Sequence, residues 1–281
     1  MKLLYVTDLH GAVWRYKKIF KVAKTLNADI VINGGDLLPM GNLMNQDKFV
    51  TNFLDIYFSK LESERIYHIS MLCNDDLMIF DEIFDKICDK YKYIISIAQR
   101  KFTIGNYEFI GLNWVNDFPF PLKDRARKDT EDFNFPKQFG KPVLSTLDGW
   151  KKIDDWYSLA DSLPTIEEEL NQLIKPKSMK NAVYIIHTPP SYLGLDVCND
   201  GREVGSKAVY KFIEENQPLI SLHGHIHESP DISGQWYSKL GRTICIQPGQ
   251  SSKSQDTLLY VIIDLRTMEI ERFQENRFEK T

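Results

Sequence analysis

Short apolar runs rich in β-branched residues alternate with amphipathic stretches of helical length over the first third of the chain. The residue patterns predict strands at 3–6, 29–33 and 65–72, and helices at 14–26, 47–61 and 77–90. A strand–helix alternation of this kind is typical of an α/β layered fold with a parallel sheet.

The second half of the chain predicts a sheet of mixed direction. Gly105-Asn106 separates the runs 101–104 and 107–112, which is a strong hairpin signal. Ser206 is a good residue to begin a helix. Further strands are predicted at 182–186, 219–222, 243–246, 258–263 and 268–273, the last three antiparallel. We therefore expect two stacked sheets.

Residues 114–164 interrupt the alternation of predicted strands and helices. The stretch is rich in aromatic residues and contains the mixed-charge run 124–129. A connection this long indicates a folded insertion or a lid. Its aromatic residues are expected to pack a minor core rather than to form a base-stacking surface. Arg125 and Arg127 alternate with acids, which favours a solvated face over a phosphate clamp.

Polar residues follow the predicted strands, where functional sites of open α/β sheets collect. These residues are Asp8, His10, Asp36, Asn74, Asp75, His187, His223, His225 and His227. Such side chains suit Mn, Fe, Zn or Ni rather than an all-oxygen calcium site. The spacing puts Asp8 and His10 on one side of the backbone, and His225 and His227 likewise. Strand order places Asp36 where it can bridge two ions, the usual arrangement for phosphoryl hydrolysis.

Taken in order, these motifs resemble those of the calcineurin-like metallophosphoesterase superfamily. The matching segments are D-x-H at 8–10, G-D at 35–36, N-D-D at 74–76, His187, G-H-x-H at 224–227 and a late turn at 247–249. The resemblance implies a four-layer α/β/β/α sandwich of two mixed sheets with flanking helices, as a single domain over 1–281. It implies a first metal held by Asp8, His10 and His227. It implies a second held by Asn74, His187 and His225, with Asp36 bridging.

Two positions depart from the family pattern. Cys73 stands where the family has glycine, and Asp75 stands where it commonly has a histidine that assists the leaving group or binds phosphate. A shifted register would make Cys73 the ligand in place of Asn74, and both registers remain open. His223 could donate to phosphate, support a ligand or cap a turn. His68, inside an apolar strand, is interpreted as a satisfied core histidine.

The expected activity is metal-dependent phosphoester hydrolysis by a hydroxide that bridges the two ions. Asp36, Asn74, Asp75 and His223 are the candidate catalytic residues. Two divalent ions, two aspartates and one hydroxide leave a net charge of about +1, which suits a phosphodiester monoanion. An ionised Asp75 would repel a dianionic monoester more strongly and would be a poor proton donor unless its environment raises its pKa. Diesters are therefore expected to be favoured.

Charge and composition limit the functions and locations that the chain can have. A net charge of −4 gives little support to a nuclease, so a small-molecule phosphoester is the expected substrate. A non-catalytic scaffold and a hydrolase of another bond, such as pyrophosphate, remain open. No apolar run reaches the roughly 18 residues of a membrane span. The four cysteines form no C-x-x-C pair, which favours reduced thiols and a cytoplasmic location. The sequence does not indicate an oligomeric state.

Overall fold

The computed structural model describes residues 1–250 and 256–278. The strands are β1 (Lys2–Val6), β2 (Ile30–Asn33), β3 (Tyr67–Ser70), β4 (Ile94–Ser96), β5 (Lys101–Ile104), β6 (Tyr107–Leu112), β7 (Val115–Asn116), β8 (Ala126–Arg127), β9 (Val143–Thr146), β10 (Gly149–Lys152), β11 (Ala182–Ile186), β12 (Ile220–Leu222), β13 (Tyr237–Leu240), β14 (Thr243–Ile246), β15 (Thr257–Asp264) and β16 (Glu269–Asn276). The helices are α1 (Val13–Thr25), α2 (Gln46–Phe49), α3 (Asp55–Ser63), α4 (Asp81–Cys88), α5 (Trp156–Asp161), α6 (Ile166–Gln172), α7 (Lys207–Asn216) and α8 (Ser229–Ser233). A π-helical turn, Val50–Leu54, joins α2 to α3.

The described residues form two six-stranded sheets of mixed direction. The first has the order β16-β15-β1-β2-β3-β4, and the second has the order β13-β14-β12-β11-β6-β5. In each sheet four neighbouring strands are parallel, and the remaining strands pair antiparallel. Parallel strands carry their carboxyl ends to one edge, which is what gathers the polar residues that follow them.

The two sheets pack face to face, and helices cover both outer faces. Leu3 and Tyr5 of β1 meet Val183 and Ile185 of β11 in the central core, because alternate residues of a strand point to opposite faces. The other face of the first sheet packs against α1, α3 and α4, and that of the second sheet packs against α6 and α7. The expected four-layer α/β/β/α sandwich is confirmed.

Local sequence signals account for several elements. The hairpin β5–β6 and the strand β11 have their predicted bounds. Helix α7 begins after Ser206, whose Oγ accepts the N–H of Val209 at 2.9 Å. The antiparallel strand expected at 243–246 is confirmed only in part, since β14 pairs antiparallel with β13 but parallel with β12 in the second sheet. All four residues of β14 are buried, and an apolar run of that kind does not reveal which sheet it joins.

The stretch 114–164 contains the two-stranded pairs β7–β8 and β9–β10 and the helix α5. A small core lies beneath them, with Ala126, Trp156 and Ala160 at its centre and Phe118 and Phe135 packed against it. The stretch 114–164 is therefore folded, with a small core of its own; that it is an insertion stays a prediction. No helix within 1–250 or 256–278 has both the length and the apolar character to cross a bilayer.

Candidate metal centre

The polar residues predicted as ligands lie where the parallel strands end. Asp8 follows β1, Asp36 follows β2, and Asn74 follows β3 in the first sheet. His187 follows β11 and His225 follows β12 in the second. The centre thus lies at one edge of the sandwich, with contributions from both sheets.

A first group of ligand atoms comes from Asp8, His10, Asp36 and His227, and these atoms all lie within 4.8 Å of one another. The Nε2 atoms of His10 and His227 are 3.0 Å apart. Nε2 of His227 lies 3.3 Å from Oδ1 of Asp8. Two imidazole nitrogens and two carboxylates facing one point form a donor set that suits a divalent transition metal.

A second group comes from Asp36, His187 and His225, also with all ligand atoms within 4.8 Å. Nε2 of His187 lies 3.2 Å from Oδ2 of Asp36. Nδ1 of His225 lies 2.9 Å from Oδ1 of Asn74, which adds an amide oxygen to the group. Asp36 is common to the two groups, as expected of a bridging ligand.

Polar atoms of the centre are placed where they can bind a cation. Oδ2 of Asp8 is buried and has no hydrogen-bond partner among the described residues. A buried carboxylate oxygen left without a partner is costly, and a bound metal would satisfy it. Nδ1 of His187 lies 3.0 Å from the carbonyl of Gly34 and donates to it, which turns Nε2 toward the carboxylate of Asp36 at 3.2 Å. The donor set therefore fits two metal ions.

Without a bound cation, the imidazoles of the centre differ in charge. Burial disfavours the charged form of all four, but neighbouring negative charges outweigh it at His187 and His227 and raise the pKa of each, so a metal would have to displace those protons. Burial lowers the pKa of His10 to about 4, and burial also lowers that of His225 to about 4, so both imidazoles are neutral at pH 7. Burial raises the pKa of Asp8, but the charge of His227 outweighs this effect and holds the pKa well below its ordinary value. Asp8 is therefore a carboxylate.

Backbone strain is concentrated at the same residues. Asp8, His10, Asp36 and His225 have φ angles of 56°, 44°, 51° and 71°. Residues other than glycine rarely adopt this left-handed region, and such strain collects at functional sites. Gly224 lies so close to Thr7 and Asp8 that an added Cβ would overlap both side chains. This close approach explains the glycine of the G-H-x-H segment.

Comparison with known proteins agrees with this geometry. The family model of the calcineurin-like phosphoesterases matches residues 1–229. The chain belongs to this family. It is a hydrolase that acts on phosphoric esters. No curated protein matches the chain in sequence.

Two solved structures share the fold. The protein TT1561 of Thermus thermophilus is 16% identical, with a TM-score of 0.58 over 98% of each chain. A dimetal phosphatase from Danio rerio is 11% identical, with a TM-score of 0.54 over 99% of this chain and 97% of that one. At such identities the likeness shows the common fold alone.

In this phosphoesterase, Asn74 and Cys73 of the loop after β3 have different surroundings. Asn74 faces His225, whereas Cys73 belongs to neither ligand group in the described part of the chain. The thiol of Cys73 lies 3.8 Å from the carbonyl oxygen of Gly34, and burial raises its pKa to about 11. The geometry therefore favours the register in which Asn74 is the ligand.

Asp75 lies beside the centre with its side chain 25% exposed. Its Oδ1 accepts the side-chain N–H of Asn74 at 3.1 Å, and its Oδ2 lies 3.9 Å from Nδ1 of His10. Burial and the charge of Asp36 raise the pKa of Asp75 to about 8. The surroundings of Asp75 thus favour the protonated carboxyl, which the sequence alone could not show. Cations bound to the neighbouring ligands would favour the ionised carboxylate instead.

His223 supports the strand that carries a candidate ligand. Its Nδ1 lies 2.8 Å from the carbonyl of Ile186 and 3.1 Å from that of Thr188, on either side of His187. Tyr5 donates its hydroxyl to the carbonyl of His223 at 2.7 Å. Of the three roles that the sequence left open, this geometry favours support of a ligand.

The expectation that Arg125 and Arg127 lie on a solvated face is wrong. Arg125 is 1% exposed and Arg127 is 7% exposed, so their segment is not a solvated face. Arg125 donates Nε to the carbonyl of Cys73 at 2.9 Å and pairs with Asp81. Arg127 lies over the ring of Trp114 at 3.8 Å. Alternating charge resembles a surface pattern, and it conceals ion pairs that form only when the insertion folds.

His68 is in the core, as expected, but it is not satisfied. Its ring packs against Tyr57 and Phe58, with centroids 5.7 and 5.2 Å away. Neither ring nitrogen has a hydrogen-bond partner among the described residues. Burial accordingly lowers its pKa to about 3.

Sequence reasoning missed two residues that hold the ligand loops. The carboxylate of Asp76 accepts backbone N–H groups of Leu37, Leu38 and Cys73 at 2.8–3.0 Å. The side chain of Gln247 donates to the carbonyl of Gly224 and, at 3.2 Å, to that of Ile226. Each residue lies in a segment that the resemblance singled out, but spacing alone does not reveal such bonds.

Proposed function

We propose that this phosphoesterase is a two-metal enzyme that hydrolyses small-molecule phosphodiesters. The observation that carries the proposal is the position of Asp36, whose carboxylate is common to both groups of ligand atoms. With Asp36 as the bridge, one ion would be held by Asp8, His10 and His227, and the other by Asn74, His187 and His225. Manganese, iron, zinc and nickel all suit these donors.

Two bound divalent ions would neutralise phosphate charge and supply hydroxide for attack on phosphorus near neutral pH. The residues of the chain position that chemistry. Asp36 is itself oriented by the N–H of Asp75, which donates to its Oδ1 at 3.0 Å. His223 and Asp76 hold the surrounding loops in place through their bonds to backbone groups.

The preference for diesters rests on Asp75. Its carboxylate occupies the space next to His10 and Asn74, where a histidine would be neutral or positive. With cations bound, a carboxylate at this place repels a dianionic monoester more than a monoanionic diester, because Coulomb energy scales with charge. The side chain is a quarter exposed, so solvent reduces the effect without removing it.

Asp75→His tests this preference with bis-p-nitrophenyl phosphate and p-nitrophenyl phosphate as substrates. We expect the wild type with Mn²⁺ to favour the diester, and the variant to shift the ratio of kcat/KM toward the monoester by about tenfold, which is about 1.4 kcal/mol. Asp148→His, on an exposed turn of the insertion, is the matched control and should leave the ratio unchanged. An unchanged ratio in Asp75→His would exclude the charge explanation.

We also propose that residues 1–281 act as one domain in the cytoplasm. The proposal of one domain is supported by β15 and β16, which lie beyond residue 229 yet extend the sheet of β1–β4. The proposed location rests on the four cysteines, which form no C-x-x-C pair. A chain truncated after residue 229 should fail to fold, as judged by circular dichroism, because β1 would lose its antiparallel neighbour. Native-like folding of the truncated chain would contradict a single unit.

A further inference from the structure

Three phenylalanines of the insertion form a chain of rings that leads away from the candidate metal centre. The ring centroid of Phe118 lies 5.8 Å from that of His225. Phe120 lies 6.2 Å from Phe118, and Phe139 lies 5.8 Å from Phe120. We call these three residues the aromatic shelf.

The outer part of the shelf is open to solvent. Phe120 is 58% exposed and Phe139 is 65% exposed, whereas Trp156 in the core of the same insertion is 3% exposed. Exposed aromatic side chains next to a functional centre are typical of ligand-binding surfaces. The insertion thus has a small core of its own and still leaves two rings uncovered on the path from His225.

The backbone beneath the shelf is fixed by hydrogen bonds. The N–H of Phe139 donates to the carbonyl of Pro119 at 2.8 Å, and that of Val143 donates to the carbonyl of Pro121 at 2.9 Å. Phe120 therefore sits between two prolines whose carbonyls are both engaged. Proline also restricts the backbone, so the shelf is formed before a ligand arrives, and binding costs little ordering.

Charge near the inner ring is balanced. Lys123 lies 4.7 Å from the ring centroid of Phe118, and it is buried together with its partner Asp117, with Nζ and Oδ1 2.7 Å apart. Gln138 donates to the other oxygen of Asp117 at 3.0 Å. The shelf consequently offers apolar ring faces and edges rather than an unpaired charge, which suits a flat, uncharged ring.

We propose that the aromatic shelf binds a flat aromatic group of the substrate, held away from the phosphate by a spacer such as a sugar. The inference rests on the proposed function, since it places the phosphate at the ligands that include His225. Two steps, of 5.8 and 6.2 Å, separate His225 from Phe120. A ring attached directly to phosphorus therefore reaches Phe118 alone, whereas a nucleoside base reaches the exposed rings.

The test compares binding of adenosine 5′-monophosphate and ribose 5-phosphate to the full-length, Mn²⁺-loaded protein by calorimetry. The two ligands share phosphate and sugar and differ only in the base. We expect the nucleotide to bind about tenfold more tightly, as stacking on aromatic side chains provides. In Phe120→Ala combined with Phe139→Ala, the ratio of the two Kd values should fall to about one, with the Kd of ribose 5-phosphate unchanged.

Leu147→Ala is the matched control, because Leu147 is an apolar residue of the same insertion and is 85% exposed. It should keep the tenfold ratio. Phenylphosphonate and methylphosphonate form a second pair, whose ratio should not change in the double variant. Equal binding of the first pair to the wild type, or a ratio that survives the double variant, would overturn the shelf but leave the metal centre intact. A double variant that alters only the second pair would overturn the spacer. Failure of all four ligands to bind would overturn the shelf, and it would overturn the proposed function as well only if bis-p-nitrophenyl phosphate were not hydrolysed, because Asp75 is proposed to repel dianions.

Discussion

The carboxylate of Asp76 accepts the backbone N–H of Leu38 at 2.8 Å, and so joins the loop that follows β3 to the loop that follows β2. These loops carry the candidate ligands Asn74 and Asp36. The same carboxylate also accepts the N–H of Cys73 at 2.9 Å. One buried side chain thus sets the relative position of two ligand loops.

Asp76→Asn should loosen that connection. An amide offers one acceptor oxygen, so at least one buried N–H loses its partner, and we expect the free energy of unfolding to fall by about 1–3 kcal/mol. Urea denaturation of metal-free protein measures this change, and Mn²⁺ affinity should fall with it. Asp75→Asn is the control and should cost much less, since among the described residues the side chain of Asp75 accepts a hydrogen bond from Asn74 alone. Equal losses in the two variants would contradict the role of Asp76.

Arg125 connects the insertion to the same loop. Arg125→Met removes the charged donor of the buried carbonyl of Cys73, which keeps the N–H of Asp76 at 3.0 Å, so we expect a loss of about 1–3 kcal/mol in the free energy of unfolding. Arg100→Met removes an ion pair with Asp85 whose arginine is 51% exposed, and it should cost less than about 1 kcal/mol. Denaturation of both variants under one condition makes the comparison. A cost for Arg125→Met no larger than that for Arg100→Met would show that the buried contact contributes little.

The left-handed backbone at Asp36 stores strain that glycine would relieve. Its φ of 51° disfavours any residue with a Cβ by about 1–2 kcal/mol. In metal-free protein we therefore expect Asp36→Gly to be more stable than Asp36→Ala by about 1 kcal/mol. At Lys21, an exposed position in α1, the order should reverse, because alanine is the better helix former. The same order at both positions would contradict strain at Asp36.

His68 gives the stability of the protein a specific pH dependence. Its pKa is about 3 when folded and about 6.5 in an unfolded chain, so the unfolded state binds the proton first. Stability therefore falls as pH drops from about 6.5 toward 3, at no more than about 1.4 kcal/mol per pH unit for this group. His68→Leu should reduce that slope and be neutral or stabilising at pH 7.5, since no hydrogen bond of the ring to the described residues is lost. Chemical denaturation at pH 7.5, 6 and 5 tests it, and an unchanged slope would refute it.

The sequence could predict that the candidate ligands lie close together, because each follows the end of a strand. Asp8 and His225 follow buried strands, and parallel strands carry such residues to one edge whatever the remaining chain does. The same reasoning located Asn74 only to within one residue. The choice between Asn74 and Cys73 depends on which side chain turns toward His225, and spacing along the chain does not specify that orientation.

The burial and exposure of residues in the insertion could not be predicted from the sequence. Arg125 looks like a surface residue because acids flank it, yet its partners Cys73 and Asp81 are distant along the chain. Phe120 and Phe139 are exposed and Phe135 is packed, although all three are phenylalanines of the same segment. Only the fold determines which of these rings is exposed. Long-range contacts of this kind leave no periodic pattern.

The number of metal ions per chain tests the shared role of Asp36 most directly. Protein stripped with a chelator, reloaded with Mn²⁺ and freed of excess metal should contain two ions per chain by mass spectrometry of the metal. Asp36→Asn should contain less than one and should lose hydrolysis of bis-p-nitrophenyl phosphate, while the exposed Asp148→Asn keeps two ions and full activity. One ion in the wild type, or two ions retained in Asp36→Asn, would contradict a centre built around this carboxylate.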